Sequence, residues 1–231
     1  MFYYFDPLYL VFAIPAFLIS LIAQMRVQIV FSKYSKVRTF SGLTGAEVAK
    51  NILWSNGIYD VRVEYVPGLL TDHYDPRFKV LRLSSGVFDS NSVAAIGVAA
   101  HEAGHAIQHY QKYPWLVLRT AMVPVVNIGS NLAFPLILIG FLLKNGDIFI
   151  NLGILLFSLA VVFTLITLPV ELNASKRAVD ALRVAGVILP DEEIAVKKVL
   201  GAAAMTYVAA VSVAILQLLY YLTLVQRRRD D

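Results

Sequence analysis

The run IFINLGILLFSLAVVFTLITLPV (148–170) contains no charged residue, and ELNASKRAVDAL (171–182) follows it directly. About 20 apolar residues suffice for a helix to cross the ~30 Å hydrocarbon core of a bilayer, so this run reads as a membrane span. Upstream, the short link KNGD (144–147) separates it from a second apolar segment within 115–143, which contains AFPLILIGFLL. Two spans joined by so short a link form an antiparallel hairpin. Two more apolar runs flank the chain: LYLVFAIPAFLISLIA (8–23), and a stretch from about Ala202 to Val225 that stops at RRRDD. The first carries no basic n-region and no A-x-A cleavage site, which suits a retained anchor better than a removed signal peptide.

The bulk composition agrees. Of the 231 residues 58% are hydrophobic and only 16% charged, and the mean hydropathy is +0.67. A soluble domain carries about a quarter charged residues. The pI near 9.2 comes from Lys and Arg flanking apolar runs, with no basic patch interleaved with aromatics. That is a signature of membrane orientation and not of nucleic-acid binding. With no cysteine, disulfides and thiolate metal sites are excluded.

Between the first and second spans lies a more polar region. TGAEVAKNILWSNG (44–57) reads as a helix, with Thr44 as N-cap, Glu47 three residues on and Gly57 as its stop. VRVEYV (61–66) and KVLRLS (79–84) alternate and read as strands. FDSNS (88–92) supplies helix-capping residues before AIGVAAHEAGHAIQHY (95–110), which holds three of the four histidines of the chain. Residues four apart on a helix lie ~6 Å apart along the axis and differ by ~40° in direction, so His101 and His105 can aim at one ion. Glu102 projects beside them, placed to take a proton from a water on the metal and pass it to a leaving amine. This is the H-E-x-x-H arrangement of zinc proteases. Ala103 and Gly104 allow close approach of substrate or of a neighbouring helix. His109 lies ~12 Å along the axis from His101, too far to share an ion with it on a straight helix.

A third ligand must come from elsewhere, and the candidates are His73, Glu171 and Asp180. Glu171 directly follows the apolar run, where a carboxylate is costly unless it has a function or a partner, and zinc would offset that cost. The hairpin also returns the chain at Glu171 to the face of the membrane that it left after His105. His73 fits a substrate-facing role or that of a donor to the oxyanion.

HEAGH, a transmembrane hairpin and then Glu-x-x-Ala together resemble the gluzincin membrane peptidases of the HtpX kind. The chain is more closely similar to the YugP-like family of bacterial neutral zinc metallopeptidases. That resemblance is carried by SGLTGAEVAKNIL (41–53), LTDHYDPRFKVLRLSSGV (70–87), AAIGVAAHEAGHAIQH (94–109), ELNASKRA (171–178) and AAAMTYVAAVSVAILQLLYYL (202–222). It implies zinc bound by His101, His105 and Glu171, with Glu102 as the catalytic base. One departure is that HtpX-type proteins place Asp four residues after the ligand Glu, where this chain has Ser175; Asn173 is the other candidate to orient a ligand histidine. The resemblance further implies that KVLRLS is an edge strand pairing with an extended substrate. Tyr207, His73 and Arg177 are candidates for polarising the scissile carbonyl.

The expected fold is mainly α: a multi-pass membrane protein of about four transmembrane helices with a small α+β zincin-like catalytic region. Its expected segments are an anchor (1–25), the zincin-like region (26–114), the hairpin (115–170), a third-ligand helix segment (171–200) and a last span with a basic tail (201–231). The expected function is a zinc metalloendopeptidase in the cell membrane, acting on protein or peptide substrates near the membrane surface, with lipid as its other partner. Arg26, Lys33, Lys36 and Arg38 follow the first span while no basic residue precedes it, which puts the catalytic region on the cytoplasmic side. The alternatives are a site-2-type intramembrane protease, whose L-D-G-like partner motif the chain lacks, and a zinc-binding membrane scaffold without turnover.

Overall fold

The structure, a computed structural model, describes residues 7–230. Residues 1–6 of the expected anchor and Asp231 of the basic tail lie outside the described residues. The chain is mainly helical. Its elements run α1 (Pro7–Tyr34), α2 (Gly45–Ser55), β1 (Arg62–Val66), β2 (His73–Asp75), β3 (Val80–Ser84), α3 (Ser85–Phe88), α4 (Val93–Tyr110), α5 (Pro114–Leu142), α6 (Asp147–Val184) and α7 (Pro190–Asp230). Among the described residues, four helices are long and apolar enough to cross a membrane: α1, α5, α6 and α7. Two of them are longer than the apolar runs alone suggest. Helix α6 passes through Pro169 and Glu171 without a break, so Glu171 rides on the third span itself. Helix α7 begins twelve residues before Ala202, with Asp191, Glu192 and Glu193 in its first turn, where the helix dipole favours negative charge.

The helices and strands fall into two compact units. One comprises the chain up to Ala23, Leu118–Leu168 and the chain from Thr206 onward; the other comprises Gln24–Val117 and Pro169–Met205. Within the first, α5 and α6 approach so closely that a Cβ on Gly153 would lie 2.7 Å from the carbonyl oxygen of Ala133, and one on Gly140 would lie 2.8 Å from that of Gly146. Small residues at such crossings let apolar helices pack without a hydrophobic driving force. Outward-facing positions are large and apolar, among them Phe17, Ile128, Phe134, Ile148 and Leu155, as a lipid solvent requires. Arg228, near the end of α7, donates to the carbonyls of Gly140 (2.7 Å) and Leu143 (2.9 Å) and pairs with Asp147 at 3.3 Å. Tyr220 stacks edge-on to Tyr9 with centroids 5.4 Å apart. The start of α1, the α5–α6 turn and the end of α7 therefore share one end of this unit.

In the second unit α2, α4 and the sheet bury a common core that includes Ile52, Leu53, Leu81, Leu83, Ile96 and Ala99, closed by Ala178 and Leu182 of α6 and by Val196 of α7. Helix α2 starts as the sequence predicts: Thr44 and Glu47 form a reciprocal capping box, and Gly57 adopts a positive φ of 75° just beyond its end. The sheet departs from expectation. Its order is β1-β3-β2, with β1 parallel to β3 and β2 antiparallel to it. The strand within KVLRLS is thus central, and both of its edges are taken; the free edges belong to β1 and β2. Along this central strand Val80, Leu81, Leu83 and Ser84 are all buried. Ser84 survives there because Asp72 accepts from its backbone N–H at 2.7 Å and from its hydroxyl at 2.9 Å.

Candidate metal centre

Ser92 caps α4 by accepting from the N–H of Ala95, and the eighteen-residue helix then carries HEAGH through its middle. The rings of His101 and His105 meet edge to face, their centroids 4.8 Å apart. His109 does not join them. It lies on the next turn and its Nδ1 shares a 2.8 Å hydrogen bond with the Tyr74 hydroxyl of β2. Burial, with the charges of Asp60 and Asp75, pushes Tyr74 up to about 12, so the phenol keeps its proton in that pair.

Helix α6 crosses α4 at Gly104, where a Cβ would lie 2.7 Å from the carbonyl oxygen of Ala174. Only glycine permits that approach, and the crossing brings Glu171 over the two imidazoles. Glu171 Oε2 lies 3.2 Å from His101 Nε2 and 3.3 Å from His105 Nε2. These three residues form a group able to hold a metal ion, with one ligand atom from each, all within 4.8 Å of one another. The fit to zinc is good in chemistry and in scale. Tetrahedral bonds of ~2.0–2.1 Å set ligand atoms ~3.3–3.4 Å apart, and two imidazoles plus one carboxylate is a donor set of catalytic zinc, leaving one position open. Burial disfavours a charged His105, but the Glu171 hydrogen bond, the charges of Glu102 and Glu171 and the bond to Gln108 together raise its pKa above the ordinary value. Zinc binds only the unprotonated imidazole, so its affinity falls as pH drops.

The far nitrogen of each imidazole is also engaged. Ser175 Oγ lies 3.1 Å from His101 Nδ1, so the serine that replaces the expected aspartate does touch a histidine. His105 Nδ1 meets Gln108 Oε1 at 3.1 Å. Gln108 is fully buried and its Nε2 donates to Val170 O at 2.8 Å and to Asn173 Oδ1 at 3.0 Å. Asn173 thus reaches a histidine through Gln108 and not directly. Sequence reasoning missed Gln108, because its partners Val170 and Asn173 lie on another helix and no local signal marks it.

Glu102 is nearly buried beside His105. Among the described residues nothing hydrogen-bonds its carboxylate, yet neither oxygen is sealed from solvent. Such a carboxylate is available to accept a proton. His73 is exposed on β2, with Nδ1 donating to Thr71 O at 2.8 Å and Nε2 facing Arg82 at 3.3 Å; both ring nitrogens are occupied away from the ligand group. Asp180 pairs with Arg183 at 2.6 Å and also stands outside the group. Arg177 donates to Asn173 Oδ1 and to Gln111 Oε1, each at 2.6 Å, which commits its guanidinium. Tyr207 belongs to the membrane unit.

Comparison with known proteins gives a consistent answer. A family described as "Putative neutral zinc metallopeptidase" matches residues 9–226. A Bacillus subtilis (strain 168) protein named "Putative membrane protease YugP" is 50% identical over 224 residues, covering 97% of this chain and 99% of that protein. No solved structure matches. With nearly the whole chain matched and a donor set fit for zinc at the α4–α6 crossing, the chain belongs to this family of neutral zinc metallopeptidases.

Proposed function

We propose that the protein is a gluzincin-type membrane endopeptidase in which His101, His105 and Glu171 hold zinc and Glu102 is the general base. The observation that carries this reading is the convergence of both Nε2 atoms on Glu171 Oε2 at 3.2 and 3.3 Å, with Glu102 unpaired beside them. Zinc held by these residues would supply Lewis acidity, lowering the pKa of water toward neutrality and polarising a peptide carbonyl. Glu102 takes the proton of the attacking water and returns it to the leaving amine. Ser175 and Gln108 hold the Nδ1 atoms of His101 and His105, which turns both Nε2 atoms toward the metal position.

Cleavage near the membrane surface is supported by Glu171 following the apolar run 148–170 directly. A cytoplasmic site is supported by the basic residues after the first span. The test is Glu102→Gln against wild type, assayed for bound zinc and for cleavage of a denatured protein. Zinc should be retained in full while cleavage falls by ~10²–10⁴-fold. Undiminished cleavage by the variant would sink the assignment, and no cleavage by either protein would favour a zinc-binding scaffold.

A further inference from the structure

The orientation of an amide side chain is ambiguous by itself, because its oxygen and nitrogen have nearly the same shape. Around His105 the ambiguity is removed by groups that can play only one role. Arg177 is purely a donor, and its Nε meets Asn173 at 2.6 Å, so the Asn173 atom there is its oxygen. That oxygen lies 3.0 Å from the Gln108 amide, and the Val170 carbonyl, purely an acceptor, lies 2.8 Å from the same Gln108 atom. The Gln108 atom facing both must be the NH₂ group. Its oxygen then points the other way, at His105 Nδ1, 3.1 Å distant. An acceptor at that distance requires a proton on Nδ1, which leaves the Nε2 lone pair for a metal.

We infer that Gln108 is the residue that positions His105 for metal binding, its polarity set from Arg177 through Asn173. This rests on His105 being a ligand, as proposed above. The relay also ties the two sides of the site together. Gln108 stands three residues after His105 on α4 and bonds the carbonyl that directly precedes Glu171 on α6. One side chain therefore fixes both the ring rotation of His105 and its spacing from the third ligand. His101 has no equivalent, because the Ser175 hydroxyl can donate or accept and imposes no tautomer.

The test measures zinc affinity of the purified full-length protein by competition with a chromophoric chelator, together with the rise in Tm on adding zinc. Gln108→Leu removes the amide; Gln108→Met keeps the length and suppleness of the side chain without it. Each should bind zinc ~10–100-fold more weakly, the scale seen when a histidine ligand loses its orienting partner. The cobalt(II) spectrum of the Leu and Met variants should change shape, a readout that altered core packing alone would leave unmoved. Zinc affinity within twofold of wild type in either folded variant would overturn the inference. So would failure of both to fold, which would make Gln108 a structural residue. His105→Ala separates the two readings: if it keeps stoichiometric zinc, the ligand assignment itself has failed; if it loses zinc while Gln108→Leu does not, only the role of Gln108 has.

Discussion

Helix α6 is one unbroken helix whose two halves face different solvents. From Asp147 to Leu168 it belongs to the membrane unit, packs on α5 through Gly153, and exposes Ile148, Leu152, Leu155, Val162 and Leu165. From Pro169 onward it belongs to the other unit, where Val170, Ala174, Ala178 and Leu182 are fully buried and Glu171 is only 3% exposed. Pro169, at the junction, has no N–H to give to the Leu165 carbonyl. The difference shows how one helix can carry a buried carboxylate at the end of an apolar run. The apolar half needs only shape, because lipid accepts any large hydrophobic side chain. The second half needs partners, because a buried charge without them would cost several kcal/mol.

The sharpest way to break this comparison is to remove the carboxylate. Glu171→Ala leaves two imidazoles, too few protein ligands for a stable catalytic site, so bound zinc should fall from one equivalent to nearly none. Asp180→Ala, nine residues further along the same half, should keep its zinc, since among the described residues Asp180 pairs only with Arg183. Metal analysis of the two purified variants decides the matter. Zinc retained by Glu171→Ala and lost by Asp180→Ala would reverse the assignment.

The two halves also cross their neighbours at glycines, and a methyl group at each crossing should have different consequences. In Gly104→Ala the new Cβ would sit 2.7 Å from Ala174 O, forcing apart the helices that carry His105 and Glu171. Gly153→Ala meets Ala133 O at the same 2.7 Å and Ile137 Cγ1 at 2.6 Å. Overpacking of this kind costs roughly 1–3 kcal/mol, so both variants should melt at lower temperature. Only Gly104→Ala should also bind zinc more weakly, by tenfold or more, because an ångström of separation spoils a site built on ~2 Å bonds. Equal zinc affinities in the two variants would contradict the view that the α4–α6 crossing exists to assemble the ligands.

The legibility of these features in the sequence follows the range over which each is determined. The spans, the α2 capping box and the strands at 61–66 and 79–84 are set by local pattern, and the sequence displays them. His101, Glu102 and His105 are legible because helical spacing alone fixes their relation. Glu171 is legible through the cost of a carboxylate at the end of an apolar run. Strand order is another matter: the family resemblance implies that KVLRLS is an edge, yet three residues of β2, too few to show any alternation, take up its second side. Gln108 is hidden for a similar reason. Its meaning depends on Val170, Asn173 and Arg177, which lie more than sixty residues away, and nothing within its own helix distinguishes it from an ordinary surface glutamine.

A smaller effect separates the membrane unit from the metal site. Arg228 satisfies two carbonyls at the end of α5 and pairs with Asp147. Arg228→Gln should lower the melting temperature in detergent by about 2–4 °C, the shift that ~1 kcal/mol produces in a chain of this size. Zinc content should not change. A loss of zinc in this variant would mean that the membrane hairpin and the ligand set are energetically one unit.

The smallest effect expected lies at the start of α2, in the polar unit, where stability depends on a charge that water can reach. Glu47 accepts from the backbone N–H of Thr44 at 2.8 Å and from its hydroxyl at 2.9 Å. These bonds, the backbone one foremost, hold its carboxyl below the ordinary value of 4.5. A carboxyl whose pKa is depressed on folding stabilises the folded state fully above its unfolded pKa, and that contribution disappears as pH falls through the folded value. The wild type should therefore lose stability from Glu47 on acidification below about pH 4.5, whereas Glu47→Gln keeps a hydrogen-bonding side chain that does not titrate. Unfolding midpoints measured between pH 3 and 7 should show the two proteins further apart at pH 7 than at pH 3, with wild type the more stable. Both proteins should be measured without zinc, since metal release on acidification would otherwise dominate the curve. A constant gap across that range would show that the capping box contributes through shape alone and not through the charge of Glu47.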